Sequence, residues 1–131
     1  MARWLRPGGK LVLEEMDGLV PRHTDDPAWR RLWVAVAEFP GFDVDCGRSL
    51  PRRLTAAGLE NVAADGWLPT VRGGTAEAQL HQMNVGAFGP AIVRAGVMSQ
   101  ADFDDLLVRL GQADFLEFGP MWISCSGRRP G

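Results

Sequence analysis

Apolar positions along this chain recur first in an unbroken run, then at helical spacing, and last at every second residue, and each change of period marks a change of element. The first cluster is Leu11-Val12-Leu13, between Lys10 and the acidic stretch Glu14-Glu15-Met16-Asp17. Three consecutive apolar residues predict a strand covered on both faces, as in a parallel sheet. Arg6-Pro7-Gly8-Gly9 precedes it as a turn, so Met1 to Leu5 read as the last turn of a helix. A polar loop then leads to Asp26, which can cap a helix, and to Pro27, which suits the first helical position. Trp29, Leu32, Trp33 and Val36 give that helix one apolar face, and Pro40-Gly41 stops it.

A second helix is predicted over Leu50 to Ala57, capped by Ser49 and ended by Gly58, followed by a weakly patterned strand around Glu60 to Leu68. Pro69 to Gly74 reads as a loop. Thr75 caps a helix to about Phe88, where Gly89-Pro90 breaks it and leaves a short piece to Ala95. Ser99 with Asp102 approximates a capping box, and Phe103, Leu106, Leu107 and Leu110 form the stripe of the next helix. One closing strand is predicted over Leu116 to Ser126, where Met121, Ile123 and Cys125 alternate with Trp122, Ser124 and Ser126.

With 131 residues, 46% of them hydrophobic and 23% charged, the chain suits a single globular domain with a real core. A formal net charge of −2 leaves no overall positive field for nucleic acid or an anionic membrane. No apolar run approaches the roughly 20 residues of a membrane span, and no signal peptide opens the chain, so a cytoplasmic protein is expected. Cys46 and Cys125 form no CxxC pair, which argues against a disulfide scaffold or a zinc site. Lys10 is the only lysine. The arginine bias reads as genomic composition, although arginine also suits bidentate contacts.

Leu5-Arg6-Pro7-Gly8-Gly9-Lys10-Leu11-Val12-Leu13, followed by acidic residues, resembles the stretch that enters the fifth strand of class I S-adenosylmethionine-dependent methyltransferases. The helix ending in Ala56-Ala57-Gly58-Leu59 is similar to the one before that family's sixth strand, and the closing strand resembles the seventh, which inserts antiparallel beside the sixth. The order of elements agrees over nearly the whole chain, whereas specific motifs agree only at these two places. The resemblance implies an α/β fold, the C-terminal half of a Rossmann-like methyltransferase sheet: one parallel-type strand, a final antiparallel pair, and a helical lid inserted over about residues 69–111. It implies methyl transfer from S-adenosylmethionine to a small organic acceptor.

The family's glycine-rich turn and ribose-holding acid belong to its first half and have no counterpart here, and Gly73-Gly74 lacks both the GxGxxG spacing and a preceding apolar strand. Gly73-Gly74 therefore reads as a flexible loop. The chain is expected to need a complementary N-terminal half, and to bind the cofactor poorly alone.

Ligands of open α/β sheets sit beyond the carboxyl ends of parallel strands, which points to Glu14, Glu15, Met16 and Asp17 as a rim. Strand alternation turns Glu15 and Asp17 to one side. Either carboxylate, or His23 in the following loop, is a candidate base for a protonated acceptor; capping and solvation are their plainer roles. Trp29, Trp33 and Phe39, with Leu80, Met83, Phe88 and Met98, are candidates to line a pocket for a flat apolar acceptor, or else pack a core. His81 lies in the expected lid, facing either acceptor or surface. Arg48 is a candidate anchor for an acidic group, or the partner of Asp43 or Asp45.

No Walker turn, HExxH, GxSxG or EF-hand loop occurs, and two isolated histidines give no metal spacing. A rival reading is a non-catalytic remnant whose apolar surface holds a hydrophobic ligand or a partner chain. Self-association into a homodimer through exposed strand edges is a third expectation.

Overall fold

The computed structural model describes residues 4–131; the expected helix end over Met1 to Leu5 falls, for residues 1–3, outside them. The fold is mixed α/β, with four α-helices and two antiparallel sheets among the described residues. Strand β1, Lys10–Asp17, is one edge of a three-stranded sheet. After a 3₁₀ turn at Pro21–His23 come helices α1, Pro27–Glu38, and α2, Cys46–Ala56, and then strand β2, Glu60–Trp67. Strand β3, Thr70–Arg72, helix α3, Ala76–Arg94, helix α4, Gln100–Arg109, and strand β4, Leu116–Phe118, fill the stretch before the last strand, β5, Met121–Arg128.

β5 lies between β1 and β2 and is antiparallel to both, so β1 and β2 run in the same direction without touching. The opening strand has no parallel neighbour among the described residues: every hydrogen-bonded partner of β1 there belongs to β5, from Lys10 opposite Arg128 to Asp17 opposite Met121. Its cover also differs from expectation. Leu11 and Leu13 turn toward α2 and pack with Leu50, Leu54, Leu59 and Cys125, whereas Val12 on the other face is 56% exposed.

α1 follows the sequence closely, because its signals are local. Asp26 accepts the Trp29 N–H at 2.8 Å, Pro27 occupies the first turn, and Trp29, Leu32, Trp33 and Val36 are buried. α2 begins a turn earlier than predicted, at Cys46, and the Ser49 hydroxyl donates to the Cys46 carbonyl inside the helix instead of capping it. Gly47 permits that start: a Cβ there would stand 2.9 Å from the Met16 carbonyl oxygen, so only glycine lets α2 lie this close to the end of β1.

α3 is continuous through Gly89-Pro90, where a break was predicted. Gly89 is where Phe103 of α4 packs, and a Cβ would come within 1.9 Å of its ring. This contact between helices outweighs the local cost of glycine and proline, and Pro90 and Gly86, its partner four residues back, both face solvent, where water can take the freed carbonyl. The predicted closing strand is two strands in different sheets, separated at Gly119-Pro120. Its first part, β4, pairs with β3, inside the stretch expected to be loop.

The larger apolar cluster joins α1, α3 and α4 with Val71 and Phe115, and the smaller one lies between α2 and the three-stranded sheet. The segment expected as a lid therefore shares its main core with α1. Asp26 also ties α1 to α4, because its carboxylate pairs with Arg109. Burial pushes that carboxyl group up, but the hydrogen bond and charge of Arg109 and the Trp29 N–H outweigh it, leaving the group below the ordinary carboxylate range. A group depressed on folding stabilises the protein above its unfolded pKa, and this stabilisation is lost as pH falls through the lower folded value. Asp26→Ala should cost about 1–2 kcal/mol at pH 7 through the lost cap alone. In urea titrations between pH 7 and pH 3, the variant should lose less stability on acidification than the parent. An unchanged acid slope would show that another carboxylate sets it. Among the described residues no helix is long and apolar enough to cross a membrane.

Candidate functional site

An apolar cavity of about 400 Å³ lies between α1, α3 and the sheet, lined among others by Met16, Trp33, Val36, Leu80, His81, Phe88 and Trp122. Its place follows from the strands. Met16 is the penultimate residue of β1 and lies opposite Trp122, and Trp67, which ends β2, lies opposite the same Trp122. The cavity thus sits at the carboxyl ends of the two strands that run in the same direction, the position where α/β sheets hold ligands. Trp122 and Trp67 stack at 6.3 Å with planes 18° apart. Phe42 and Leu80, both partly exposed, form part of the rim.

Behind the wall Trp29 is 0% exposed, and its indole N–H donates to the Phe118 carbonyl at 2.9 Å. It meets Trp33, His81 and Phe115 edge to face, with centroids 5.7, 5.2 and 5.9 Å away. Trp29 therefore shapes the wall from behind without lining it. Trp33 and His81 do line it, with ring centroids 6.2 Å apart.

These two residues carry the site's unusual chemistry. Trp33 is 6% exposed and His81 7%, yet among the described residues neither Trp33 Nε1 nor His81 Nε2 has a hydrogen-bond partner. Glu77, one turn back on α3, brings Oε1 to 3.5 Å from His81 Nε2, close enough for charge to act but too long for a good hydrogen bond. Burial holds the imidazole below the ordinary histidine range, and Glu77 opposes the shift without cancelling it. His81 is therefore neutral near pH 7 and able to take a proton.

The other sequence candidates fall elsewhere. Glu15 and Asp17 do share one side of β1, but it is the side of α2, away from the cavity, which Met16 alone of the acidic run reaches. Glu15 is exposed beside Leu11, Leu13 and Cys46. Both Asp17 oxygens are taken: Arg48 donates to them from Nε at 2.6 Å and from a terminal nitrogen at 3.1 Å, and the Leu19 N–H adds a third bond. Arg48 also pairs with Asp45, one of the two partners weighed for it, which leaves it as a clamp between β1 and α2. His23 is exposed at the end of the 3₁₀ turn and takes no part in the cavity wall.

Phe39 borders a neighbouring space of about 40 Å³ with Val36, Phe42, Phe88 and Ile92. Met83 is 74% exposed and is corrected from a pocket residue to a surface one. At about 100° per residue, two steps along α3 from His81 turn a side chain to the far face. Met98 is buried in the larger core. Glu77, Asn84, Phe42, Pro120 and Trp122 are among the lining residues that were not singled out, although the four-residue spacing of Glu77 and His81 placed them on one helical face.

The Gly73-Gly74 turn is not the loose loop expected. Its N–H groups and that of Thr75 donate to the carbonyls of Phe115, Leu110 and Arg72, so none is left to cradle a ligand. A Cβ on Gly73 would overlap the Gln112 carbonyl oxygen, which accounts for glycine there. Among the described residues no group of three or more His, Cys, Asp or Glu side chains could hold a metal ion. No protein-family model and no curated protein matches the chain.

Proposed function

We propose that this chain supplies the acceptor-binding half of an S-adenosylmethionine-dependent methyl transfer to a small organic molecule. The observation that carries the reading is the placement of an apolar cavity at the carboxyl ends of β1 and β2, with the last strand antiparallel beside β2 as the resemblance implies. The chain's residues would hold the acceptor between Trp33, Phe88 and Trp122, keep water from it, and offer His81 as its polar contact.

The residues present do not fit the cofactor. Apart from Glu77, His81 and Asn84 the cavity wall is apolar, which does not suit adenine, a ribose diol and a charged amino acid, and the one glycine pair that enters a helix has spent its N–H groups. In this reading the cofactor groups come from a further segment whose strand adds to the outer edge of β1, where Val12 is exposed and no described strand pairs. A cytoplasmic setting belongs to the same proposal. The cavity is lined by this chain's own residues, which supports a second reading: a non-catalytic module that holds a hydrophobic ligand.

Titration calorimetry with S-adenosylhomocysteine separates the two. The chain alone should give no binding at micromolar concentration, and a longer protein that also carries an in-frame glycine-rich strand, turn and helix from upstream of the Met1 codon should bind it and methylate a small acceptor. Tight binding by the chain alone contradicts the half-site. A longer protein with neither binding nor turnover leaves only the ligand-holding module.

A further inference from the structure

The N–H and C=O groups of an antiparallel strand point by turns to one neighbour and to the other, so an edge strand leaves those of every second residue without a ladder partner. In β1 the phase is set just before the strand, where the Arg129 N–H donates to the Gly9 carbonyl at 2.8 Å. Alternation from Gly9 turns the main-chain groups of Leu11, Leu13 and Glu15 toward β5 and those of Lys10, Val12 and Glu14 outward. Gly18 agrees, because its N–H donates away from the sheet to the Val44 carbonyl at 2.7 Å, and the start of α2 lies against the Met16 carbonyl. The margin is therefore closed at its far end and open from Lys10 to Glu14, where the three outward residues are exposed and no described strand pairs with them.

A strand laid antiparallel along this stretch must set outward residues opposite outward residues, and a second copy of β1 can do so in several registers. Centred on Lys10 or on Glu14, it opposes like charges. Centred on Leu11 or on Leu13, it sets a charged side chain against Val12. Centred on Val12, each copy's Lys10 faces the other's Glu14 and Val12 faces itself, so that both charges of the stretch find opposite partners. The same register places Leu11 opposite the second copy's Leu13 on the side of α2, where both leucines are half-buried along an apolar groove of about 360 Å³ that Leu50 and Leu54 also line. The added leucines cover what α2 leaves open there.

We propose that two copies of this chain pair β1 to β1 about a two-fold axis through Val12, which joins their three-stranded sheets into one continuous sheet. The contact uses the same patch on both copies and so stops at two. It is independent of the methyl-transfer reading, which seats a further segment on this margin: the two occupants exclude one another, and the pairing belongs to the chain without that segment.

Light scattering on a sizing column tests it. Loaded at about 0.2 mM, because so small an interface is weak, the chain should show twice the mass of a single copy. Lys10→Glu and Glu14→Lys each set like charges opposite one another in this register, and each should weaken self-association at least about tenfold. Mixed in equal amounts the two variants are complementary again and should recover the mass of the pair, and the double variant Lys10→Glu, Glu14→Lys should pair as the parent does. If one single variant does not fold, the parent and the double variant still decide the matter. A parent that stays at the mass of one copy, or that grows beyond two, overturns the proposal. Single variants that pair as well as the parent, or a mixture that stays unpaired, overturn the register and the proposal with it. The methyl-transfer reading is decided by S-adenosylhomocysteine and not by these masses, so either can fail without the other.

Discussion

Trp29→Ala is expected to lower folding stability by about 3–5 kcal/mol, the range for deleting a large aromatic side chain from a packed core. Trp29 is fully buried, meets Trp33, His81 and Phe115 edge to face, and uses its indole N–H on the Phe118 carbonyl. Alanine removes the transfer energy of the ring, opens a void behind the cavity wall and leaves a buried carbonyl short of a donor. The midpoint of a urea transition should fall with little change in slope. Trp67→Ala, at a largely exposed ring of the same type, should change stability far less. If the two variants lost comparable stability, the core would not be organised around Trp29.

Gly89→Ala should destabilise by about 1–3 kcal/mol through overpacking, although alanine is the better helix former and would stabilise an isolated α3. The added methyl would meet the Phe103 ring at 1.9 Å, so α3 and α4 must separate or Phe103 must leave its rotamer. The interference is specific, and a double-mutant cycle exposes it. Phe103→Leu alone should destabilise, but combined with Gly89→Ala it should cost less than the sum of the two, with a coupling of about 0.5–3 kcal/mol. Simple additivity would place the damage in α3 itself and not in its contact with α4.

The same glycine shows which parts of the fold were legible in the sequence. Elements set by local chemistry were readable: Asp26 and Ser99 cap the helices they were expected to cap, and the stripes beginning at Trp29 and Phe103 are buried. Elements set by distant partners were not. Gly89-Pro90 carries every local sign of a break, and only Phe103, brought from the next helix, explains why none occurs. Thr70-Val71-Arg72 has no strand pattern of its own and becomes a strand by pairing with Leu116–Phe118.

The site divides along the same line. Trp33 and His81 stood out as an aromatic on an apolar stripe and an isolated histidine, and both line the cavity. The acidic run ends β1, but which face met the cavity depended on α2, which Gly47 and the Arg48 pair with Asp17 bring against the odd-numbered side. That left Met16 facing the cavity and turned both candidate carboxylates elsewhere. Trp122 could be placed on one face of the last strand by alternation, but only the central position of β5 in the sheet brings it to the ends of both β1 and β2.

The bare flank of β1 bears on how the protein survives at high concentration. Among the described residues, Leu11-Val12-Leu13 has no strand paired along its outer side, the kind of short apolar stretch on which fibrils of stacked strands can grow. Lys10 and the Glu14-Glu15 pair bracket it with charge of opposite sign, so like stretches repel in register less than a single-signed border would make them. Where the flank stays bare, storage lifetime should therefore shorten with protein concentration, and anything that seats a strand along it should act as a preservative.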